Sequence, residues 1–338
     1  MNSTILTQAD PIIALQAWVE EKLQHPGLTW EPLAGDASFR RYFRLPMMGL
    51  LAVYAPPATE NNEGFVKIAA SLKNAGIYAP EVKAYDLKQG FLLITDLGHE
   101  VYSAKLTAQT ADTLYAQALD VLAHMQTIQS VPDYNLQIFD EKFMGQELLY
   151  FKEWFLEGYL HFTLDKEKHH HFSETMQLLL ASATNQPQVF IHRDYHSRNL
   201  MVCEKQTPGV LDFQDAMLGP VTYDAVSLLR DAYVDWPAHT VMSWASSFHD
   251  RIAETQSMKD FSKDAFIDAF NWMGIERHLK AIFIFARKFL RDGTSAYLQD
   301  IPRCMQYVIS VSEHYPQLRH LHQLMTQHVL PAWKDKHP

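Results

Sequence analysis

The spacing of the apolar residues changes once along this chain, and that change limits the possible folds more than any other feature. Up to about residue 98, short segments rich in β-branched and aromatic residues alternate with helical stretches; beyond it the spacing is almost wholly helical. Asp10-Pro11 reads as a cap followed by proline at the first helical position, and Ile12, Ile13, Leu15, Trp18, Val19 and Leu23 recur at helical spacing. Leu28 to Leu33, Phe39 to Leu45 and Leu50 to Ala55 then read as an antiparallel meander. A helix from Phe65 that stops near Gly76, and strands over Glu81 to Tyr85 and Phe91 to Thr95, complete a small sheet-plus-helix lobe before Asp96-Leu97-Gly98 breaks the pattern. Helices are predicted near 108–129, 143–161, 172–184, 221–235, 238–256, 262–291 and 303–330. One island of strand character interrupts them, at Val189 to Ile191, Leu200 to Val202 and Gly209 to Phe213. The implied class is α+β in two lobes, residues 1–97 and 98–338, the first a small antiparallel sheet with a helix and the second large and mostly helical.

Composition bounds the function. With 338 residues, 47% of them hydrophobic, the chain is long enough for two real cores. The 29 Lys and Arg stand against 39 Asp and Glu, a formal charge of −10, which argues against a sequence-blind grip on nucleic acid or an anionic membrane. Cys203 and Cys304 form neither a CxxC pair nor a disulfide framework, so both are expected as reduced, buried thiols. The first ten residues lack the basic and apolar regions of an export signal, and no apolar run reaches the roughly 18 residues of a membrane span. A cytoplasmic protein is expected, with its oligomeric state open. There is no HExxH, GxSxG or GxxxxGK[ST], which removes zincin, α/β-hydrolase and P-loop chemistry. Glu167-Lys168-His169-His170-His171 is read as a solvated loop, because consecutive histidines cannot share one face.

The polar chemistry is concentrated in the island. It reads Val189-Phe190-Ile191-His192-Arg193-Asp194-Tyr195-His196-Ser197-Arg198-Asn199-Leu200-Met201-Val202, then Gly209-Val210-Leu211-Asp212-Phe213-Gln214-Asp215. Asp194 follows an apolar strand, Asn199 opens the next and Asp212 closes a third, so three oxygen-bearing side chains are expected at the same end of neighbouring strands. Asn199 and Asp212 suit a hard cation such as Mg²⁺, which takes oxygen ligands. Asp194 is then left to accept a proton from an attacking hydroxyl. His192 is read as a hydrogen-bonding residue that holds the loop, Asp215 as a metal-side or helix-side carboxylate, and Asp224 as a cap or a brace for the loop.

The order H-R-D-x-x-x-x-N, a hairpin, then D-F resembles the catalytic and metal-binding loops of the protein-kinase-like fold. The histidine two places after Asp194, and Asp212-Phe213-Gln214-Asp215 in place of D-F-G, look like the aminoglycoside phosphotransferase branch. Gly219-Pro220-Val221-Thr222-Tyr223-Asp224 and Gly35-Asp36-Ala37-Ser38-Phe39-Arg40-Arg41-Tyr42-Phe43-Arg44 are similar to bacterial anomeric kinases for N-acetylmuramate and N-acetylglucosamine. Glu147 to Phe155 adds a further match. The resemblance implies a bilobal fold with a nucleotide-binding first lobe, ATP and Mg²⁺ as cofactors, and a sugar 1-phosphate product made in cell-wall recycling. It places Asp194 as catalytic base and His196 either facing the transferred phosphoryl group or packed, and it puts adenine against backbone groups of Asp96 and Leu97.

This chain departs from the protein-kinase pattern on the nucleotide side. The candidate phosphate loop has one glycine, Gly35, and Leu50-Leu51-Ala52-Val53-Tyr54-Ala55 carries no lysine. Another cation must meet phosphate charge. Arg41 is favoured because it lies nearest Asp36-Ala37-Ser38, with Arg40 and Arg44 on the opposite face of the strand. For the sugar, Glu147, Glu153, Arg198, Arg230 and Asp231 are nominated, Arg198 for a substrate carboxylate such as a lactyl group. Two alternatives stay open: a kinase of the same fold acting on an aminoglycoside or choline-type alcohol, and a nucleotide-binding pseudokinase without turnover.

Overall fold

The structure is a computed structural model that describes residues 10–33, 39–204 and 208–337. Its strands are β1 (Glu31–Pro32), β2 (Arg41–Leu45), β3 (Leu50–Tyr54), β4 (Val82–Asp86), β5 (Phe91–Thr95), β6 (Gln137–Ile138), β7 (Gln188–Ile191), β8 (Leu200–Met201), β9 (Gly209–Val210) and β10 (Met217–Pro220). Its helices are α1 (Pro11–Leu23), α2 (Asn62–Asn74), α3 (Tyr102–Lys105), α4 (Ala111–Met125), α5 (Glu141–Tyr150), α6 (Lys166–Thr184), α7 (Tyr223–Leu229), α8 (Ala238–Ile252), α9 (Lys263–Asp292), α10 (Ile301–Ser312), α11 (Arg319–Leu324) and α12 (Leu330–Lys336). The chain divides into two compact units. One gathers Met1–Val101, Ser130–Asn135 and Asn199–Asp215; the other gathers Tyr102–Gln129, Leu136–Arg198 and Ala216–Pro338.

In the first unit an antiparallel sheet runs in the order β1-β2-β3-β5-β4. Asp10 caps α1 by accepting from the Ile12 amide, which sets the helix so that Leu15, Trp18 and Val19 bury against Leu45, Ala52, Phe91 and Leu93. Phe91, Leu92, Leu93 and Ile94 are all buried, because β5 lies inside the sheet with both faces covered. Asn61 caps α2 through the Gly64 amide. β8 and β9 form a separate short hairpin in which Leu200 opposes Val210.

The second unit is mainly helical. Its sheet runs β6-β10-β7, with β10 antiparallel to β7 and parallel to β6. The island is therefore not one set of neighbouring strands: β7 pairs with β10, whereas β8 pairs with β9 and, by a bridge at Met201, with Val101. The reason is local, since Arg193 at φ 76° and Asp212 at φ 61° turn the backbone out of strand geometry right after each apolar run. The 30-residue α9 is capped by Ser262 and ended by Gly293 at φ 71°, and it packs Leu279, Ile282 and Phe283 against Phe151 and Phe155.

Three expectations about helices and a loop are corrected. The histidine tract is not a loop: Asp165 caps α6 at Lys166, so His169, His170 and His171 stand in its first turns. The helix predicted over 143–161 changes register, α5 passing into a π-helix over Phe151–Tyr159 with Leu160 N donating to Phe155 O. The stretch predicted over 303–330 breaks at Tyr315-Pro316, where proline cannot continue the helix. Among the described residues no helix is long and apolar enough to cross a membrane.

Candidate active site

Asp194 sits in a loop that is held from below by a buried carboxylate. Asp224, in the first turn of α7, accepts from the amides of His192 (2.6 Å) and Arg193 (3.0 Å), so it braces the loop. The Asp194 amide in turn points to His192 Nδ1 at 3.3 Å. From α9, Arg277 donates to the Arg193 carbonyl, the Tyr223 hydroxyl and Ser227 Oγ, and Lys280 donates to the same Tyr223 hydroxyl. Burial alone would raise the Asp194 pKa, but Lys280, Arg277, His196 and Arg193 outweigh it and hold the carboxyl well below the usual carboxylate range. Asp194 is thus an ionised acceptor at neutral pH.

The same network explains Glu147. Its carboxylate pairs with Arg193 at 3.0 Å and Lys280 at 3.1 Å, and only 8% of the residue is exposed. Beside them Glu276 is buried with neither carboxyl oxygen hydrogen-bonded. Arg277, Lys280 and Glu276 were not anticipated from the sequence. The available signal was Glu276-Arg277-His278-Leu279-Lys280, a charged run flanked by the apolar stretches 272–275 and 281–286 of one helix, which costs too much to bury unless its members have partners.

Asn199 and Asp212 come together across the β8–β9 hairpin. Leu211 N donates to Asn199 O at 2.9 Å, and Asn199 Nδ2 lies 3.5 Å from Asp212 Oδ2. A half turn of the amide presents Asn199 Oδ1 beside that carboxylate, an all-oxygen pair that fits Mg²⁺. Gln214 Nε2 holds Asp212 Oδ1 at 2.9 Å and reaches Asp215 Oδ2 at 3.4 Å, so Asp215 stands beside the pair through Gln214. Asn61 fixes the turn by donating to Gln214 O, and Phe65 packs on Phe213 with ring centroids 4.8 Å apart. Among the described residues no group of three or more His, Cys, Asp or Glu side chains could hold a metal ion.

Asp36 and Ser38 lie outside the described residues. Arg41 is exposed with its guanidinium over the Phe43 ring. Arg40 instead is buried, paired with Glu60 at 3.2 Å and placed over Phe65. It also lies close enough to Tyr42 to oppose the rise in the Tyr42 pKa that burial causes and that the charge of Asp212 adds to. Asp96 is committed to Arg44, which grips both its carboxyl oxygens and donates to Gly98 O. The Leu97 carbonyl accepts from the Cys203 thiol.

Of the residues nominated for the sugar, Glu153 is exposed on the π-helix. Arg230 is buried over Phe270 with its guanidinium on Asn271 Oδ1, and burial lowers its pKa to about 10. Asp231 is buried and binds Ser197 and Tyr233. Arg198 is exposed and rests on Tyr233, whose ring His196 meets edge-on at 5.6 Å.

Residues 29–261 match the phosphotransferase enzyme family. The N-acetylmuramate/N-acetylglucosamine kinase of Pseudomonas aeruginosa is 41% identical over 301 residues, 87% of this chain and 87% of its own. That of Pseudomonas putida is 38% identical over 325 residues, 93% of this chain and 95% of its own. An ADP-bound aminoglycoside phosphotransferase superposes with a TM-score of 0.59 over 87% of this chain and 97% of its own, at 13% identity, which is a likeness of fold. With its antiparallel sheet unit and its mostly helical unit, the chain has the protein-kinase-like fold and belongs to the phosphotransferase enzyme family.

Proposed function

We propose that the protein transfers the γ-phosphoryl group of ATP, with Mg²⁺, to the anomeric hydroxyl of N-acetylmuramate or N-acetylglucosamine, giving the sugar 1-phosphate in the cytoplasm for reuse of cell-wall sugars. The observation that carries the sugar is the name shared by the two Pseudomonas relatives, each spanning most of this chain. Asp194 accepts the proton of the sugar hydroxyl, whose oxygen forms the new bond to phosphorus as the bond to the β,γ-bridging oxygen breaks and ADP leaves. Its depressed pKa keeps it ionised for that task. Asn199 and Asp212 would hold the metal, which would offset the negative charge of the phosphates. For the phosphate cation we assign Arg41, which is exposed, whereas Arg40 is buried and paired with Glu60. Glu147, Arg230 and Asp231 serve as internal supports, their charges being engaged within the protein.

The fold likeness to an aminoglycoside phosphotransferase supports a second reading, an aminoglycoside or choline-type acceptor. The test is turnover with MgATP and a panel of amino sugars, aminoglycosides and choline, following ADP release and the ³¹P signal of the product. A 1-phosphate of an N-acetylated sugar is expected. A phosphorylated aminoglycoside would replace the reading with the second, and nucleotide binding without ADP release would make the protein a pseudokinase. Asp194→Asn is expected to lower kcat by about 10²–10⁴-fold, the usual worth of a positioned general base.

A further inference from the structure

Arg198 follows Asp194 by four positions in the same loop. Its guanidinium carbon lies 3.5 Å from the centroid of the Tyr233 ring, and the residue is exposed. Stacking occupies the face of the guanidinium and leaves the N–H groups along its edge for another partner. Among the described residues no carboxylate forms an ion pair with it. Asp300 senses its charge but is paired with Arg303 at 3.4 Å.

The platform under Arg198 is built, not incidental. One buried carboxylate, Asp231, accepts from the Ser197 amide at 3.0 Å and from the Ser197 hydroxyl through Oδ2, and from the Tyr233 amide at 2.9 Å through Oδ1. It thereby fixes both the backbone just before Arg198 and the backbone that carries the ring beneath it. His196 closes the edge of that ring. A long cationic side chain is thus ordered before any ligand arrives, which removes much of the entropic cost of using it.

The two sugars differ by one charged group: N-acetylmuramate carries a lactyl ether whose carboxylate N-acetylglucosamine lacks. An outward guanidinium fork matches a carboxylate in two parallel hydrogen bonds. We infer that Arg198, held on Tyr233 by the Asp231 clamp, receives the lactyl carboxylate and sets the preference between the acidic and the uncharged amino sugar. This rests on the sugar-kinase reading above.

The experiment measures kcat and KM for both sugars and for the methyl ester of N-acetylmuramate, in the native protein and in Arg198→Gln and Arg198→Lys. In Arg198→Gln the ratio of kcat/KM for N-acetylmuramate to that for N-acetylglucosamine should fall by about 10–100-fold, chiefly through KM, as expected for loss of a charge-assisted pair. Arg198→Lys should recover part of that ratio, since it keeps the charge and loses the fork. The native protein should use the ester less well than the acid. An unchanged ratio in Arg198→Gln, or an ester used as well as the acid, overturns the assignment while leaving the sugar kinase in place. Failure of the native protein to phosphorylate either sugar overturns the sugar-kinase reading and this inference with it.

Discussion

Glu276 carries a carboxyl group into the interior with neither oxygen hydrogen-bonded, and burial, reinforced by the neighbouring Glu147, pushes its pKa well above the usual carboxylate range. The unfolded chain releases that proton near pH 4 while the folded chain keeps it, so rising pH between the two values favours unfolding. Glu276→Gln, uncharged throughout, is expected to gain stability over the native protein from about pH 5 upward, by about 1–3 kcal/mol at pH 8. Denaturant unfolding at several pH values checks this, and a difference that does not grow with pH would refute it. Asp194 titrates with the opposite sign: its stabilising interactions are present above about pH 4 and are lost as acid protonates it. The proximity of Asn199 to Asp212 was legible because the β8–β9 hairpin that joins them is local. Arg277 and Lys280 were not, because they lie 84 residues from Arg193 and 57 from Tyr223 respectively, and only the tertiary fold brings them to those partners.

At the scale of elements, the turn between β4 and β5 shows how closely one connection is set. Gly90 sits at φ 71°, and its carbonyl accepts from the Ala55 amide at 2.8 Å. A Cβ there would be driven into the Ala55 carbonyl oxygen, a backbone atom that cannot move aside. Gly90→Ala is therefore expected to cost about 2–4 kcal/mol, from the left-handed backbone and the clash together, read as a lowered denaturation midpoint; a loss under about 0.5 kcal/mol would contradict it. The Asp10 cap made the start of α1 legible, and periodicity placed α2 and α9 to within a few residues, whereas the capping roles of Asn61, Ser262 and Gly293 emerge only in the structure. Pairing was less legible. Nothing in Val189-Phe190-Ile191 says that its partner is Met217 to Pro220, because a short apolar strand carries no record of which edge it will meet. The π register of Phe151–Tyr159 was hidden for a similar reason, since Phe151, Phe155 and Tyr159 satisfy an α pattern equally well.

At the scale of the whole molecule, the family match ends at residue 261, yet much of the second unit's core comes later. Leu279, Ile282, Cys304, Met305 and Leu318 belong to the same buried cluster as Leu148, Phe151 and Phe155. A chain ending after Phe261 would expose those aromatic faces and lose Arg277 and Lys280. It is expected to lack a cooperative thermal transition and to bind a hydrophobic dye strongly, as loosely packed states do; a sharp transition would show that the later helices are dispensable. The two-part texture of the sequence was legible from its periodicity. That 199–215 joins the first unit was not, because long-range packing leaves no mark on local spacing.

The Asp231 clamp has a consequence for how such a protein can diversify. The buried carboxylate binds backbone amides of Ser197 and Tyr233, atoms that every residue except proline supplies, so what stands at positions 198 and 233 can change without disturbing most of the frame. The two accessible side chains can then drift while the loop that carries Asp194 stays where it is.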